Sequence, residues 1–448
     1  MRWSSLILVF ITCGFGCTGS DTGSLAEPGL LATQAVAAER GSPPVASRES
    51  SGNWSAFRGP TGMGISTATN LPTEWSHDNH IVWKTPLPGP GASSPVVWGD
   101  RAYLTCYTGY FVPDHPGGSL NDLKRHLLAI DLTTGELLWD KAIAAKLPEE
   151  EQIRDHGFAA NTPVVNADRV YAFFGKSGVY AFDHAGSEIW HADVGDGTSG
   201  WGTAASPVLW QDLLIVNASV ESESLIALNK ETGEQVWRTG GINEAWNTPV
   251  VSKSADEEVE VVVATHGKLK AFSPADGLPQ WTCDTDITWY MVPSLVGEGG
   301  YLYSLGGRSG ISSLAVKTGG KGDITASHRQ WTSMKGSNVS SPVLSDGHLY
   351  WIHDQHGIAY CADAKTGEIR YEERMPRSGQ VYSSALLGDG KIYYLTRTGK
   401  TFVVAATPEF QLVATNNLDD GSQFNGSIAV AGTRLLIRSD HFLYCIGG

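Results

Sequence analysis

Short runs of β-branched, aliphatic and aromatic residues, broken by Gly-Asp, Asp-Gly or Thr-Gly, repeat along most of the chain. Apolar runs of this length between turn residues predict strands joined by hairpins, with Gly supplying the positive φ of the turns. One phrase sets the period: a small polar residue, then Pro, then an aliphatic run. It reads Ser94-Pro95-Val96-Val97, Thr162-Pro163-Val164-Val165, Ser206-Pro207-Val208-Leu209 and Thr248-Pro249-Val250-Val251. It returns as Val292-Pro293-Ser294-Leu295 and Ser341-Pro342-Val343-Leu344, then in weaker form at Ser384-Ala385-Leu386-Leu387 and Ser427-Ile428-Ala429-Val430. After an interval of 68 the anchors fall 44, 42, 44, 49, 43 and 43 residues apart, with residues 108–125 an insertion in the first unit. Eight anchors predict eight units.

Within the first unit the pattern predicts strands at Pro95–Trp98, Arg101–Tyr107, Leu127–Leu132 and Glu136–Ile143. The last turn carries its own phrase, Ala129-Ile130-Asp131-Leu132-Thr133-Thr134-Gly135-Glu136 closed by Trp139. It recurs up to Trp237 and Tyr371, and more loosely up to Trp190, Trp281 and Trp331. Four antiparallel strands in 42 to 50 residues is a β-propeller blade, so the expected fold is all-β, an eight-bladed propeller. The eighth unit, from Ser427, has room for only three strands. His80–Leu87 reads as a fourth strand, closing Trp83 included, with no blade of its own. The N-terminal strand is therefore expected to complete the last blade and remove two open sheet edges.

Composition agrees with many short strands: 52 Gly and 15 Trp stand against 5 Met in 448 residues. A formal charge of -15 argues against nucleic acid and anionic lipid as partners, since phosphate binding needs basic surface. At the N-terminus, Arg2 followed by Leu6–Ile11 reads as an export signal over residues 1–17. Gly16 before Cys17 resembles a bacterial lipoprotein signal with Cys17 as the lipidated residue. A second possible cut follows Ala35-Val36-Ala37, and residues 18–50 read as a flexible tether ahead of a propeller at 51–448. Cys106, Cys283, Cys361 and Cys445 form no C-x-x-C motif, which leaves zinc and dithiol chemistry without support. Gly399-Lys400-Thr401 lacks the rest of a P-loop and reads as a hairpin turn. His353-Asp354-Gln355-His356 is the densest imidazole cluster, and it falls in a turn.

The A-x-D-x-x-T-G-E-x-x-W repeat resembles that of the pyrroloquinoline-quinone (PQQ) repeat propellers from Asn53 to Gly448. Asn53-Trp54-Ser55-Ala56-Phe57-Arg58-Gly59-Pro60 is similar to the opening of exported bacterial members. The resemblance implies that Trp83, Trp139, Trp190, Trp237, Trp281 and Trp331 pack between neighbouring blades and serve structure. It also implies two functional branches. PQQ-dependent alcohol dehydrogenases hold calcium and a carboxylate base against the quinone, and many carry a vicinal disulfide. The barrel-assembly (BamB-type) lipoproteins carry no cofactor and bind proteins. This chain has no Cys-Cys pair and no evident calcium cluster; Asp284-Thr285-Asp286 and Asp193-Val194-Gly195-Asp196 are isolated acidic pairs. No cofactor or catalytic residue is therefore expected.

The loops before the Pro anchors should ring one mouth of the central channel. They carry His156 and Phe158; Trp201; Glu244, Trp246 and Asn247; Trp289 and Tyr290; Lys335 and Asn338; Arg377, Gln380 and Tyr382; Gln423, Phe424 and Asn425. Aromatic and Arg-bearing loops on a rigid disc are what binding surfaces use. The expected function is a monomeric, exported, non-catalytic scaffold for envelope proteins. The alternatives are a PQQ- and calcium-dependent oxidoreductase and a carbohydrate-binding propeller.

Overall fold

The computed structural model describes residues 52–254 and 257–447. The export signal, Cys17 and the tether lie outside the described residues. Eight small antiparallel sheets follow one another around a channel, as the repeat predicts. Blade one contains Val96–Trp98, Arg101–Thr108, Lys124–Asp131 and Leu137–Ala144. Its insertion forms a hairpin of Tyr110–Val112 with His115–Gly118. Blades two to seven occupy residues 164–192, 208–240, 250–284, 296–333, 343–374 and 386–417. Blade eight takes Ala429–Ala431, Arg434–Arg438 and Phe442–Ile446 from the C-terminus and Ile81–Pro86 from the N-terminus. The expected closing strand is thus in place, with Trp83 opposite Cys445.

The recurring small polar residue acquires a physical reason at the channel. Its hydroxyl accepts the backbone N–H of the equivalent residue in the preceding blade, and the chain of bonds closes on itself. Ser94 N–H donates to Thr162 Oγ1 (2.9 Å), Thr162 to Ser206 (3.0 Å), Ser206 to Thr248 (3.1 Å) and Thr248 to Ser294 (3.1 Å). Ser294 donates to Ser341 (3.0 Å), Ser341 to Ser384 (3.2 Å), Ser384 to Ser427 (2.9 Å) and Ser427 back to Ser94 (2.9 Å). These groups are buried, so each bond satisfies a backbone donor that water does not reach. The ring corrects one expectation. In blade five the anchor is Ser294, after Pro293, and not Val292 before it. That shift explains the uneven 44 and 49 spacing.

The outer seams use the repeated Trp. On the third strand of six of the eight blades a small residue, Ala129, Ala181, Ala227, Ala271, Ala315 or Cys445, faces the Trp across the register, and in blade six Cys361 faces Tyr371. Indole N–H groups then bond carbonyls of the next blade: Trp83 to Leu132, Trp139 to His184, Trp190 to Lys230, Trp237 to Pro274 and Trp331 to Ala364, all at 2.9–3.0 Å. Trp281 departs from the rule and bonds Glu260 Oε1 of its own blade, because Gly322–Asp323 pairs alongside it where a turn would lie. Blade seven has Ala414 at the Trp position; Trp75 of the N-terminal segment, bonded to Asn416 and stacked near Tyr393, packs into the core of blades seven and eight.

The Thr-Gly turn needs Gly because the neighbouring Trp lies on it. A Cβ on Gly233, at φ +76°, would sit 2.7 Å from Trp190. Gly390, at φ +67°, faces open space. Gly233→Ala is expected to cost about 2–3 kcal/mol and Gly390→Ala about 1 kcal/mol, read as urea midpoints. Equal costs at the two sites would mean that the indole contact contributes nothing.

Before reaching blade eight, the chain crosses the channel as a strap. Trp54 pairs with Val97 of blade one and Ser55 accepts from Val165 of blade two. Ile65–Ser66 then runs parallel to Leu387–Gly388 of blade seven. Between them Arg58 is buried, its guanidinium donating to Met63 O (3.0 Å) and to Pro342 O. No helix among the described residues is long and apolar enough to cross a membrane.

Candidate functional site

The strap divides the channel into two recesses, and Phe57 lines both. The strap-side recess, about 1220 Å³, is bounded by residues 52–69 and the innermost strands. The opposite mouth, about 370 Å³, is bounded by the loops that enter each innermost strand and by those between second and third strands.

Of the residues expected there, Trp201, Trp246, Tyr290, Gln380, Tyr382 and Asn425 line the recess together, with His156. Tyr290 sits at the centre of an aromatic wall, its ring centroid 5.4 Å from Trp201, 5.4 Å from Trp246 and 5.2 Å from Trp289. Trp246 is fixed by its indole N–H on Gly202 O (2.8 Å), whereas Trp201 and Trp289 remain exposed, at 45% and 39%. Across the recess, Arg397 lies 4.2 Å over the Tyr382 ring. It donates to Asp155 Oδ1 (3.1 Å), Gln380 Oε1 (2.9 Å) and Asn425 Oδ1 (3.0 Å). His156 approaches the carbonyls of Trp201 (2.8 Å) and Gly157 (3.1 Å), and burial lowers its pKa below the usual imidazole value.

Other expected residues lie elsewhere. Phe158, Asn247, Asn338 and Phe424 are buried and line no mouth. Phe158 packs edge-on against Tyr107, and Phe424 stacks on Tyr444 over Gly399. Asn247 ties two loops through Ala264 O (2.6 Å) and Met291 O (3.2 Å). Glu244 pairs with His266 (2.8 Å) and Lys335 with Glu372 (2.8 Å), both away from the recess. Arg377, Gln423 and Trp289 are exposed beyond its rim. The repeat marks neither Asp155, Arg308 and Gln355, which line the recess, nor Arg397, which backs it through Asp155, Gln380 and Asn425. All but Asp155 come from loops between second and third strands, which carry no repeated phrase.

Oxygen donors for a cation at the mouth are already engaged. Asp155 is the one carboxylate lining the mouth, and Arg397 holds it together with the Gln380 and Asn425 oxygens. Among the described residues no three His, Cys, Asp or Glu side chains gather as metal ligands. His353 and His356 stack on each other at 4.5 Å, and Asp354 is buried, accepting Asn338 N–H (3.0 Å). Asp193 and Asp196 bind Lys146 at 2.6 and 2.7 Å, and Asp284 and Asp286 bind Lys268 and Arg329. The four cysteines among the described residues are buried singly, and burial pushes the Cys106 and Cys361 thiols up to about 12. At the mouth the donor set does not fit a calcium-bound quinone backed by a free carboxylate base, whereas in the strap-side recess Glu298 and Asp346 supply carboxylates.

Comparison with known proteins agrees with the architecture. The sequence model of the family described as outer membrane protein assembly factor BamB matches residues 175–417. No curated protein matches the chain in sequence. BamB from Moraxella catarrhalis aligns at a TM-score of 0.57 and 13% identity, covering 82% of this chain and 96% of that one. The quinohemoprotein alcohol dehydrogenase from Comamonas testosteroni aligns at 0.60 and 12% identity, covering 88% and 80%. A europium-containing methanol dehydrogenase aligns at 0.61 and 14% identity, covering 86% and 89%. Such identities establish a shared fold, and function has to be argued from the site.

Proposed function

We propose, for a chain that belongs to the family of the outer membrane protein assembly factor BamB, that the propeller is a non-catalytic scaffold exported to the bacterial envelope, which meets protein partners at the mouth. The observation that carries this reading is the division of labour in the recess. Its aromatic wall is accessible, while its single carboxylate is committed to Arg397. Accessible Trp and Tyr on rigid loops supply anchors for a protein segment at small entropic cost. A general base must be free to take a proton, and a carboxylate locked under a guanidinium is a poor one. The likeness to dehydrogenases favours the alternative on fold alone.

A photocrosslinking residue in place of Trp201, in cells, is expected to capture barrel-assembly components. The same residue in place of Asp212, in the hairpin between the first two strands of blade three, serves as the control. Saturable binding of PQQ with calcium by the purified protein, accompanied by dye-linked alcohol oxidation, would overturn the scaffold reading. The aromatic wall also permits stacking of a sugar ring. A glycan array probed with Trp201→Ala beside the unaltered protein distinguishes that case.

A further inference from the structure

Part of the aromatic wall stands on a loop whose only close support is one short helix. Residues 195–202 read Gly-Asp-Gly-Thr-Ser-Gly-Trp-Gly, ahead of the innermost strand of blade three. The glycines let this loop lie flat on the helix Ser219–Ser222. A Cβ on Gly195 would sit 2.3 Å from Glu221 O, and one on Gly197 2.2 Å from Val220 O. Gly197 N–H donates to Glu221 O (2.9 Å). The loop in turn sets two rings of the mouth. Trp201 belongs to it, and Gly202 O accepts the Trp246 indole N–H (2.8 Å).

Beneath the loop, the Glu221 side chain lines a recess of about 20 Å³, room for one water, together with Thr198, Ser199, Gly202 and Thr203. The carboxyl is buried, the Thr203 hydroxyl bonds it, and Oε2 has no partner among the described residues. The charged groups around it are engaged elsewhere. Arg125 of blade one donates to Glu149 (2.6 Å) and Phe158 O (2.9 Å). Lys176, after the second strand of blade two, donates to Pro148 O (2.8 Å). Glu150 accepts the Thr198 hydroxyl (2.6 Å). Asp193 and Asp196 bind Lys146 at the start of the loop, and Glu223, beyond the helix, is exposed. His156 is a second titrating group on the loop, at the Trp201 carbonyl (2.8 Å). Neither Arg125 nor Lys176 forms an ion pair with Glu221 among the described residues. An ionised carboxylate is costly where one water fits, and lifting the glycine loop is the shortest route to hydrating it.

We infer that Glu221 works a proton-controlled latch on the mouth: protonated, it lets the 195–203 loop close and set Trp201 and Trp246 in the wall, and ionised, it lifts the loop and loosens both rings. That this governs partner capture rests on the protein-binding reading of the mouth. Burial pushes the Glu221 pKa up to about 7 from 4.5, so the closed loop holds the proton that the open loop releases. Opening therefore gains as pH rises through that interval and levels off above it.

The test is hydrogen exchange of the full purified chain from pH 4.5 to 8, each rate being divided by the chemical exchange rate at that pH. Protection of the Gly197 and Gly202 amides is expected to fall on the order of 100-fold across the range. Glu221→Gln should keep the acid-side protection throughout. Gly197→Ala, which cannot seat against Val220 O, should lose it at every pH. In protein carrying 5-fluorotryptophan, the resonance that Trp246→Phe deletes should shift with pH in the parent and stay fixed in Glu221→Gln. A loop indifferent to pH, the same pH dependence in Glu221→Gln, a parent-like Gly197→Ala or an unmoved Trp246 resonance would overturn the inference. None of these readouts needs a partner. If exchange is flat while Trp201-site crosslinking to barrel-assembly components persists, the latch alone has failed. If exchange responds and crosslinking is absent, the latch stands and the scaffold reading falls.

Discussion

A chain beginning at Pro88 is expected to be recovered mainly as aggregate, with any soluble fraction unfolding at a much lower urea concentration. Ile81–Pro86 is the fourth strand of blade eight, paired along Phe442–Ile446. Its removal takes away Trp83, which is buried against Gly135 and donates to Leu132 O in blade one. Deleting a buried Trp side chain alone costs about 3–5 kcal/mol. The truncation also leaves Phe442–Ile446 as a bare edge, a template for pairing with other chains. The strap goes as well, and with it the contacts of Trp54 to blade one and of Ile65–Ser66 to blade seven. Trp83→Ala isolates the indole and is expected to cost about 3–5 kcal/mol while leaving a monomer. A synthetic peptide covering residues 76–90 should restore part of the soluble yield when added during refolding. Size-exclusion chromatography and urea unfolding read all three results. A truncated chain that stays monomeric with an unchanged midpoint would show that closure through the N-terminal strand is dispensable.

The strand that closes the ring was legible because a Trp-bearing strand stood outside every unit while the last unit lacked one. The blades were legible for a related reason: the anchor hydroxyl, the Thr-Gly turn and the Trp each serve an inter-blade contact, so each recurs. In blade five Pro293 precedes Ser294, so the recurring Pro and the hydroxyl that the ring requires fall out of step. The mouth was legible only in part. Residues such as Trp201, Trp246 and Tyr290 lie a few positions before an anchor and face the recess. Asn247 directly precedes its anchor Thr248, and there the backbone turns inward, so its amide satisfies carbonyls instead. Arg308 and Arg397 left no trace in the repeat, because loops between second and third strands are free to differ from blade to blade. The path of the strap depends on contacts more than 280 residues apart, such as Arg58 with Pro342, |i−j| = 284, which no local pattern encodes.

Stability is expected to fall as pH rises from about 4.5 to 7, through two buried carboxyls, Glu221 and the less strongly shifted Asp440. Glu221 sits in the loop after the second strand of blade three, on the short helix Ser219–Ser222. It is 4% exposed, and its Oε2 has no partner among the described residues. Burial pushes its pKa up to about 7 from 4.5; Arg125 draws it down to a lesser extent, and Glu149, paired with Arg125 at 2.6 Å, opposes that. The folded protein therefore holds a proton that the unfolded chain releases near pH 4.5. Between those values the folded state binds more protons, so unfolding becomes easier as pH increases. A difference of this size corresponds to about 3 kcal/mol once pH exceeds 7. Glu221→Gln keeps the shape and removes the titration. The variant should match the parent near pH 4.5 and be more stable by up to about 3 kcal/mol at pH 8. Measuring the two proteins side by side cancels the contribution of His156 and His353, whose pKa values burial lowers and which therefore favour the opposite slope. Urea midpoints at half-unit steps from pH 4.5 to 8.5 supply the curve. If the midpoints of parent and variant run parallel across that range, Glu221 does not set the slope. If the variant is the weaker of the two at pH 8, the lost carboxylate contacts outweigh the desolvation of its charge.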